Sequence, residues 1–206
     1  MCAVKVSEIA MAAADPAAGP TVREQLAKAL AAKVAGNEAV QAQNWKQASF
    51  QYKHVSLFIG QHGSKKKETD ALTGADSSMG GMGALLGKGK PAESALDPAL
   101  QKEIDDLIAV THANLAMAHL SLGRYPQAAQ SCEIALLYQP GNLKARYRRA
   151  VAKLHLGQLE TARRDLEAVL GASPDDAAAQ QRMAELVAAE AAAKEKEKRM
   201  CAKMFA

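Results

Sequence analysis

Aromatic residues are scarce in this sequence, and it has no long hydrophobic run. Phe, Trp and Tyr make up 4% of its 206 residues, whereas alanine is abundant and β-branched residues are sparse. This composition favours helices that pack closely through small side chains, so we expect an all-α fold. No apolar stretch reaches the roughly 18 residues of a membrane span, and residues 1–14 lack the basic start and apolar core of a secretory signal. We therefore expect a cytoplasmic protein with no membrane partner.

Cysteine is equally rare, and no residue pattern indicates a metal or catalytic centre. Cys2, Cys132 and Cys201 lie far apart, without a C-x-x-C pair or the spacing of a zinc site. The five histidines show no metal-ligand spacing and no adjacent nucleophile. Segment 83–88 is only faintly similar to a phosphate-binding loop, because Met82 and Gly89 stand where that loop needs a glycine and a hydroxyl residue. We predict free thiols, no cofactor and no enzymatic activity.

Positive charge is in slight excess. The formal net charge of +4 at pH 7 suits an acidic ligand but is smaller than the positive charge typical of nucleic-acid-binding domains. Two basic segments, 65–67 and 194–199, are short or alternate with glutamate, which is more typical of a solvated surface. We expect no nucleic-acid partner.

The second half of the chain carries an internal repeat. Residues 109–142 and 143–176 align as two helix-turn-helix units with a period of about 34 residues. Small residues at matching positions let two antiparallel helices approach closely, a glycine ends the first helix, and a proline precedes the next unit. One unit cannot bury its apolar face alone, so the units must stack. The matching pairs include Ala116 and Ala150, Gly123 and Gly157, Ala128 and Ala162, and Pro140 and Pro174.

A third copy of the repeat begins near Ala29, with Gly36 at its close-packing position. Trp45, Ala48, Tyr52 and Val55 then fall on positions that pack between helices, and we interpret them as core. An insertion of about 45 residues separates this copy from the next. Because segment 60–98 is rich in Gly, Ser, Lys and Pro without a helical period, we expect a loop there.

The repeats predict a right-handed superhelix of three helix-turn-helix units followed by a long C-terminal helix. Asp97-Pro98 restarts a helix that extends repeat 2 backward. In the C-terminal helix, we expect packing on repeat 3 by Met183, Leu186 and Val187. The Lys-Glu run beyond them is expected to project into solvent. The predicted segments are a flexible N-terminus at 1–20, repeat 1 at 21–62, an insertion loop at 63–97, repeat 2 at 98–142, repeat 3 at 143–176 and a capping helix at 177–206.

Polar residues on the first helix of each repeat are candidates for function, because those helices line the concave face of such a superhelix. Lys33 and Asn37 are one turn apart in repeat 1, and Lys144 and Arg148 are one turn apart in repeat 3. Asn114 has the place in repeat 2 that Arg148 has in repeat 3. Three cations and two amides on one surface predict a site for a pair of carboxylates.

These residues resemble a known family. The segments Lys33-Val-Ala-Gly-Asn37, Asn114-Leu-Ala-Met and Lys144-Ala-Arg-Tyr-Arg148-Arg are similar to the dicarboxylate clamp in the tetratricopeptide repeat domains of FKBP-type and cyclophilin-type immunophilins and related co-chaperones. The closing Ala-Lys-Met-Phe-Ala is similar to the end of an immunophilin C-terminal helix. Only about 28 residues precede repeat 1, where a prolyl isomerase domain needs about 100. The chain therefore most resembles stand-alone proteins of the tetratricopeptide repeat domain 9 type.

The resemblance implies a co-chaperone-like adaptor. Its clamp would bind the acidic Met-Glu-Glu-Val-Asp or Glu-Glu-Val-Asp terminus of heat-shock proteins of the 90 or 70 kilodalton class. Met117 and Ala118, about one turn from Asn114, are candidates for an apolar wall that receives the valine. The alternative is a scaffold for another acidic or extended peptide without a chaperone link, and the oligomeric state stays open. The residues expected to bind peptide are Lys33, Asn37, Asn114, Lys144, Arg148 and Met117.

Overall fold

A computed structural model describes residues 21–73 and 96–204 of the chain. In these ranges the prediction of an all-α fold is confirmed, because the chain forms eight α-helices and one 3-10 turn and no strand. The predicted N-terminal segment 1–20 and the glycine-rich segment 83–88 lie outside the described residues. The elements are α1 (Val22–Gln41), α2 (Trp45–Ile59), the 3-10 turn Gly60–His62, α3 (Lys66–Thr73), α4 (Pro98–Ser121), α5 (Tyr125–Tyr138), α6 (Leu143–His155), α7 (Leu159–Ala172) and α8 (Ala177–Met204).

The helices pack as successive pairs. α1 packs on α2, α4 on α5 and α6 on α7, and the pairs stack because α2 contacts α4 and α5 contacts α6. α8 packs on α7 and closes the stack. None of the helices in the described ranges is long and apolar enough to span a bilayer.

Side-chain caps define where the helices begin. Thr21 and Glu24 form a reciprocal capping box at the start of α1. Asp97 accepts a hydrogen bond from the Ala99 amide at 3.3 Å and is followed by Pro98, so α4 starts where the Asp-Pro pair predicted it. α4 therefore begins upstream of Ala109, where the internal repeat starts in the sequence.

The turns between paired helices require a left-handed backbone. Gly123 and Gly157 end the first helices of repeats 2 and 3 with φ of 68° and 72°. In repeat 1 the residue with a positive φ is Gln43, at 56°. A side chain in that conformation is strained by about 1 kcal/mol or more, so repeat 1 has the less favourable turn.

The inserted segment differs from the expected loop over 60–98. The 3-10 turn and α3 occupy its beginning, and α3 lies along α5. Ser64 donates from its amide and hydroxyl to the Asp105 carboxylate at 2.9 and 2.6 Å, and Lys65 Nζ donates to the Leu137 carbonyl oxygen at 2.6 Å. Polar contacts with distant residues therefore support this helix, and a search for apolar periodicity does not detect them.

The buried core of the described residues forms several clusters, and the two largest lie towards opposite ends of the stack. One cluster joins α1, α2, α4 and α5, and the other joins α6, α7 and α8. Met183 and Leu186 pack in the second cluster as predicted, but Val187 is 50% exposed, so its predicted packing was wrong. Residues 191–204 are all exposed, as predicted for the Lys-Glu run. The first cluster contains Leu26, Val55, Ile59, Ile104, Leu107, Ile108 and Ile134, and the second contains Ala150, Leu166, Val169, Ala179 and Leu186.

The described cysteines are free thiols, as predicted. Cys132 is fully buried, and burial raises the pKa of its thiol to about 12, while Cys201 is exposed on α8. Cys132 is therefore a core residue and unreactive at neutral pH.

Candidate functional site

The first helices of the three pairs, α1, α4 and α6, carry the predicted site residues. We use the name groove face for the surface that they form around Lys33, Asn37, Asn114 and Arg148. α4 contacts both α1 and α6, so polar residues from three separate segments of the chain can meet on it. Lys33 and Asn37 are one turn apart on α1 and therefore project from the same side of that helix.

A hydrogen-bond network joins the two asparagines at the base of the groove face. The Tyr52 hydroxyl donates to Asn37 Oδ1 at 2.8 Å, and Asn114 Nδ2 approaches the same oxygen at 3.5 Å. Burial raises the pKa of Tyr52. The nearby Arg148 charge and an interaction with Asn114 act in the opposite direction, but burial has the larger effect. The structure thus brings Asn37, Asn114 and Arg148 together around one tyrosine that the sequence reading assigned to the core.

Gly36 explains why Tyr52 can reach this position. A Cβ atom on Gly36 would lie 2.6 Å from Cε1 and 2.8 Å from Cδ1 of the Tyr52 ring. Only glycine leaves room for the ring against α1. The close approach predicted at Gly36 therefore has a consequence for the site, because it sets the tyrosine hydroxyl beside the next residue, Asn37.

Arg148 is a half-buried cation without an acidic partner in the described residues. Its guanidinium donates to the Ala113 carbonyl oxygen at 2.6 Å and lies 3.6 Å from Met117 Sδ. Burial lowers the pKa of Arg148, but an arginine remains charged at neutral pH. A desolvated charge without a counter-ion is unfavourable unless a ligand supplies one.

The two lysines of the site are more exposed. Lys144, one turn before Arg148 on α6, is exposed, and Lys33 is half-buried. Neither forms an ion pair within the described ranges. Lys33 borders a cleft of about 430 Å³ between α1 and α4, which is lined by Leu30, Lys33, Ala99, Lys102, Glu103, Asp106, Leu107 and Val110.

Of the two residues predicted to form an apolar wall, Met117 is accessible and Ala118 is not. Met117 is half-buried beside Arg148, where its side chain can contact a ligand. Ala118 is fully buried with Tyr52 and Leu115, so its predicted role was wrong. The two residues are adjacent on α4 and therefore point about 100° apart, and only one can face the groove.

Together these groups supply hydrogen-bond donors and positive charge. Asparagine amides, a guanidinium and two ammonium groups fit the oxygens of carboxylates, and charge-assisted bonds of this kind contribute about 1.5–3 kcal/mol each. In the part of the chain that the structure describes, no three His, Cys, Asp or Glu residues are placed to hold a metal ion. The geometry favours recognition of an anionic ligand.

Comparison with known families identifies the fold. Residues 119–186, from the end of α4 into α8, match the tetratricopeptide repeat family. The chain therefore contains a tetratricopeptide repeat domain, in agreement with the predicted helical repeats.

Among individual proteins, the human FK506-binding protein-like protein is 50% identical over 78 residues, which are 38% of this chain and 22% of that protein. The chain thus matches about a fifth of the length of this relative. The C-terminal tetratricopeptide domain of a Plasmodium falciparum FK506-binding protein aligns with a TM-score of 0.65 at 21% identity, over 88% of this chain and 97% of that one. The first tetratricopeptide domain of Spaghetti (RPAP3), bound to the HSP90 peptide SRMEEVD, aligns with a TM-score of 0.54 at 20% identity, over 80% and 94% of the two chains.

Proposed function

We propose that this domain is a co-chaperone-like adaptor whose groove face binds the acidic Glu-Glu-Val-Asp-type terminus of a heat-shock chaperone of the 90 or 70 kilodalton class. The observation that carries the proposal is Arg148, a half-buried cation that has no carboxylate partner in the described residues and lies near Tyr52, whose hydroxyl bonds Asn37. The peptide's carboxylates would supply the missing counter-charge. A protein of the same fold has been solved with the HSP90 peptide SRMEEVD, which supports this choice of ligand.

The proposed mechanism is reversible binding without a chemical step. Arg148 and Lys144 would hold one carboxylate from α6, Lys33 would hold the other from α1, and the amides of Asn37 and Asn114 would donate to the remaining oxygens. Met117 would contact the neighbouring apolar side chain. An extended peptide loses conformational entropy on binding, so we expect micromolar affinity, about −8 kcal/mol. Such affinity suits an adaptor in the cytoplasm, and we propose no catalytic role for this domain.

Calorimetric titration of the protein with a peptide ending in Met-Glu-Glu-Val-Asp tests the proposal. We expect micromolar binding that is lost when the peptide's C-terminus is amidated, because amidation removes one of the two terminal carboxylates. The Lys144→Glu, Arg148→Glu double variant should lose binding, and Lys33→Ala provides a second test at a side chain outside the core. Lys46→Glu with Arg164→Glu makes the same change in net charge at exposed sites on α2 and α7, and it should bind normally.

Two results would contradict the proposal. If the free-acid peptide does not bind, the ligand is not a chaperone tail of this type, and other acidic or extended peptides should be tested. If the control variant on α2 and α7 weakens binding as much as the groove variant does, the attraction comes from net charge and not from a clamp.

A further inference from the structure

The side chain of Tyr52 is almost completely buried, at 1% exposure, and it has one polar atom. That hydroxyl does not point into the apolar core. It donates to Asn37 Oδ1 at 2.8 Å, and Asn114 of α4 approaches the same oxygen through Nδ2 at 3.5 Å. A single buried tyrosine on α2 thus contacts one predicted clamp residue, Asn37 of α1, at the oxygen that a second one, Asn114, also approaches.

These contacts determine which end of the Asn37 amide is free. Its oxygen accepts from Tyr52 and is approached by Asn114 Nδ2 at 3.5 Å. Its nitrogen donates to no other residue in the described ranges. A carboxylate can only accept hydrogen bonds, so Asn37 is useful to the clamp only when its NH₂ group faces the ligand. The opposite amide orientation would direct an oxygen at the ligand and repel it.

On the basis of the proposed function, we propose that Tyr52 is a positioning residue of the clamp, whose hydroxyl holds the carbonyl oxygen of Asn37 so that the amide NH₂ faces the bound carboxylate. Tyr52 does not touch the ligand in this arrangement. It acts through Asn37, whose oxygen it holds.

The position of the ring makes this support rigid. Because a Cβ on residue 36 would lie 2.6 Å from the ring, the ring fills the space that Gly36 leaves on α1. Burial raises the pKa of Tyr52, so the hydroxyl keeps its proton at neutral pH and remains a donor. A fixed ring and a permanent donor together restrict the Asn37 amide to one orientation before the peptide arrives, which lowers the entropic cost of binding.

The test is Tyr52→Phe, which removes the hydroxyl and keeps the ring. Titration with the Met-Glu-Glu-Val-Asp peptide should show an affinity about tenfold lower than that of the wild type, with a melting temperature close to the wild-type value. Tyr138→Phe is the matched control, because it removes a half-buried tyrosine hydroxyl whose partner, Thr69, lies on α3 and not on the groove face. That variant should bind as the wild type does.

A double-mutant cycle separates positioning from a general structural effect. If Tyr52 acts through Asn37, Tyr52→Phe should have no further effect in an Asn37→Ala background, in which the remaining cations still give binding measurable by NMR titration. An equal loss in both backgrounds would overturn the inference, as would wild-type affinity in the single variant. Failure of the wild-type protein itself to bind the peptide would instead refute the proposed function, and with it this role for Tyr52.

Discussion

Two adjacent arginines on α6 have opposite electrostatic surroundings. Arg149 forms a two-pronged salt bridge with Asp165 of α7, with Nε and Nη2 each 2.7 Å from a carboxylate oxygen. Arg148 points towards α4 and donates to a neutral carbonyl oxygen instead. Adjacent residues on a helix point about 100° apart, so Arg149 faces α7, the second helix of its own pair, while Arg148 faces α4 and the groove.

The same contrast extends to the surfaces around these two residues. Away from the groove face, the basic residues of α6, α7 and α8 commonly have acidic partners, whereas Lys33, Lys144 and Arg148 have none in the described ranges. The groove face therefore carries positive charge that no carboxylate in the described ranges neutralises. The paired groups are Arg149 with Asp165, Lys153 with Glu133, Arg163 with Glu190, Arg164 with Glu160 and Arg182 with Glu185.

Acid should lower the free energy of unfolding through two buried histidines and not through the cations of the groove face. Burial lowers the pKa of His112 and of His119 on α4 to about 4, from an unfolded value of 6.5. The unfolded chain therefore binds more protons between these values, so stability is fully present above pH 6.5 and falls as the pH decreases towards 4. At pH 5 the loss is about 2 kcal/mol for each histidine.

Urea unfolding at pH 7.5, 6 and 5 measures this loss. A His112→Gln, His119→Gln variant should show a much flatter dependence of the unfolding free energy on pH, because it lacks both groups that titrate. A wild-type free energy of unfolding that stays constant down to pH 5 would show that neither histidine is held neutral by the fold.

Removal of the partner of Arg149 should be the next largest effect. Asp165 is 3% exposed, so Asp165→Ala leaves a partly buried guanidinium without its counter-ion and should cost about 3 kcal/mol of unfolding free energy. Glu160→Ala breaks an exposed pair with Arg164 and should cost less than about 0.5 kcal/mol. Urea denaturation compares the two variants, and equal losses would contradict the distinction between buried and exposed pairs.

The turn of repeat 1 offers a smaller effect of opposite sign. Gln43 has a positive φ where repeats 2 and 3 have glycine, so Gln43→Gly should raise stability by about 1 kcal/mol. Gly157→Gln makes the reverse change in repeat 3 and should lower stability by a similar amount. Thermal unfolding followed by circular dichroism would detect both shifts, and a decrease for Gln43→Gly would refute this account of the turn.

The smallest expected change in stability is at Arg148 itself. Arg148→Met removes a desolvated charge that has no counter-ion among the described residues, so the free energy of unfolding should change by about 0.5 kcal/mol or less. Arg149→Met should be far more costly because it leaves Asp165 buried without a partner. Chemical denaturation of both variants tests this difference, and a large loss at Arg148 would mean that its charge serves the fold.

The repeat arrangement was predictable because its signals are local. Small residues and turn glycines recur at fixed positions, and Asp97-Pro98 marks the start of α4. The features that were missed depend on contacts between distant residues. α3 is held through Ser64 and Lys65 by residues on α4 and α5, and the link from Tyr52 to Asn37 depends on the close approach of α1 and α2. The predicted boundaries of the repeats and the ligand contacts of the clamp residues stay predictions.

The exposed second half of α8 has a consequence for how the protein unfolds. Residues 191–204 have no buried side chain, and within them the Arg199–Glu195 pair is an interaction along the helix itself. Such a segment relies on intrinsic helix propensity, and short isolated helices are marginal in water. Its amide hydrogens should therefore exchange with solvent long before those of α4 and α6. On heating, part of the helical signal should be lost as a gradual slope ahead of the cooperative transition of the stacked helix pairs.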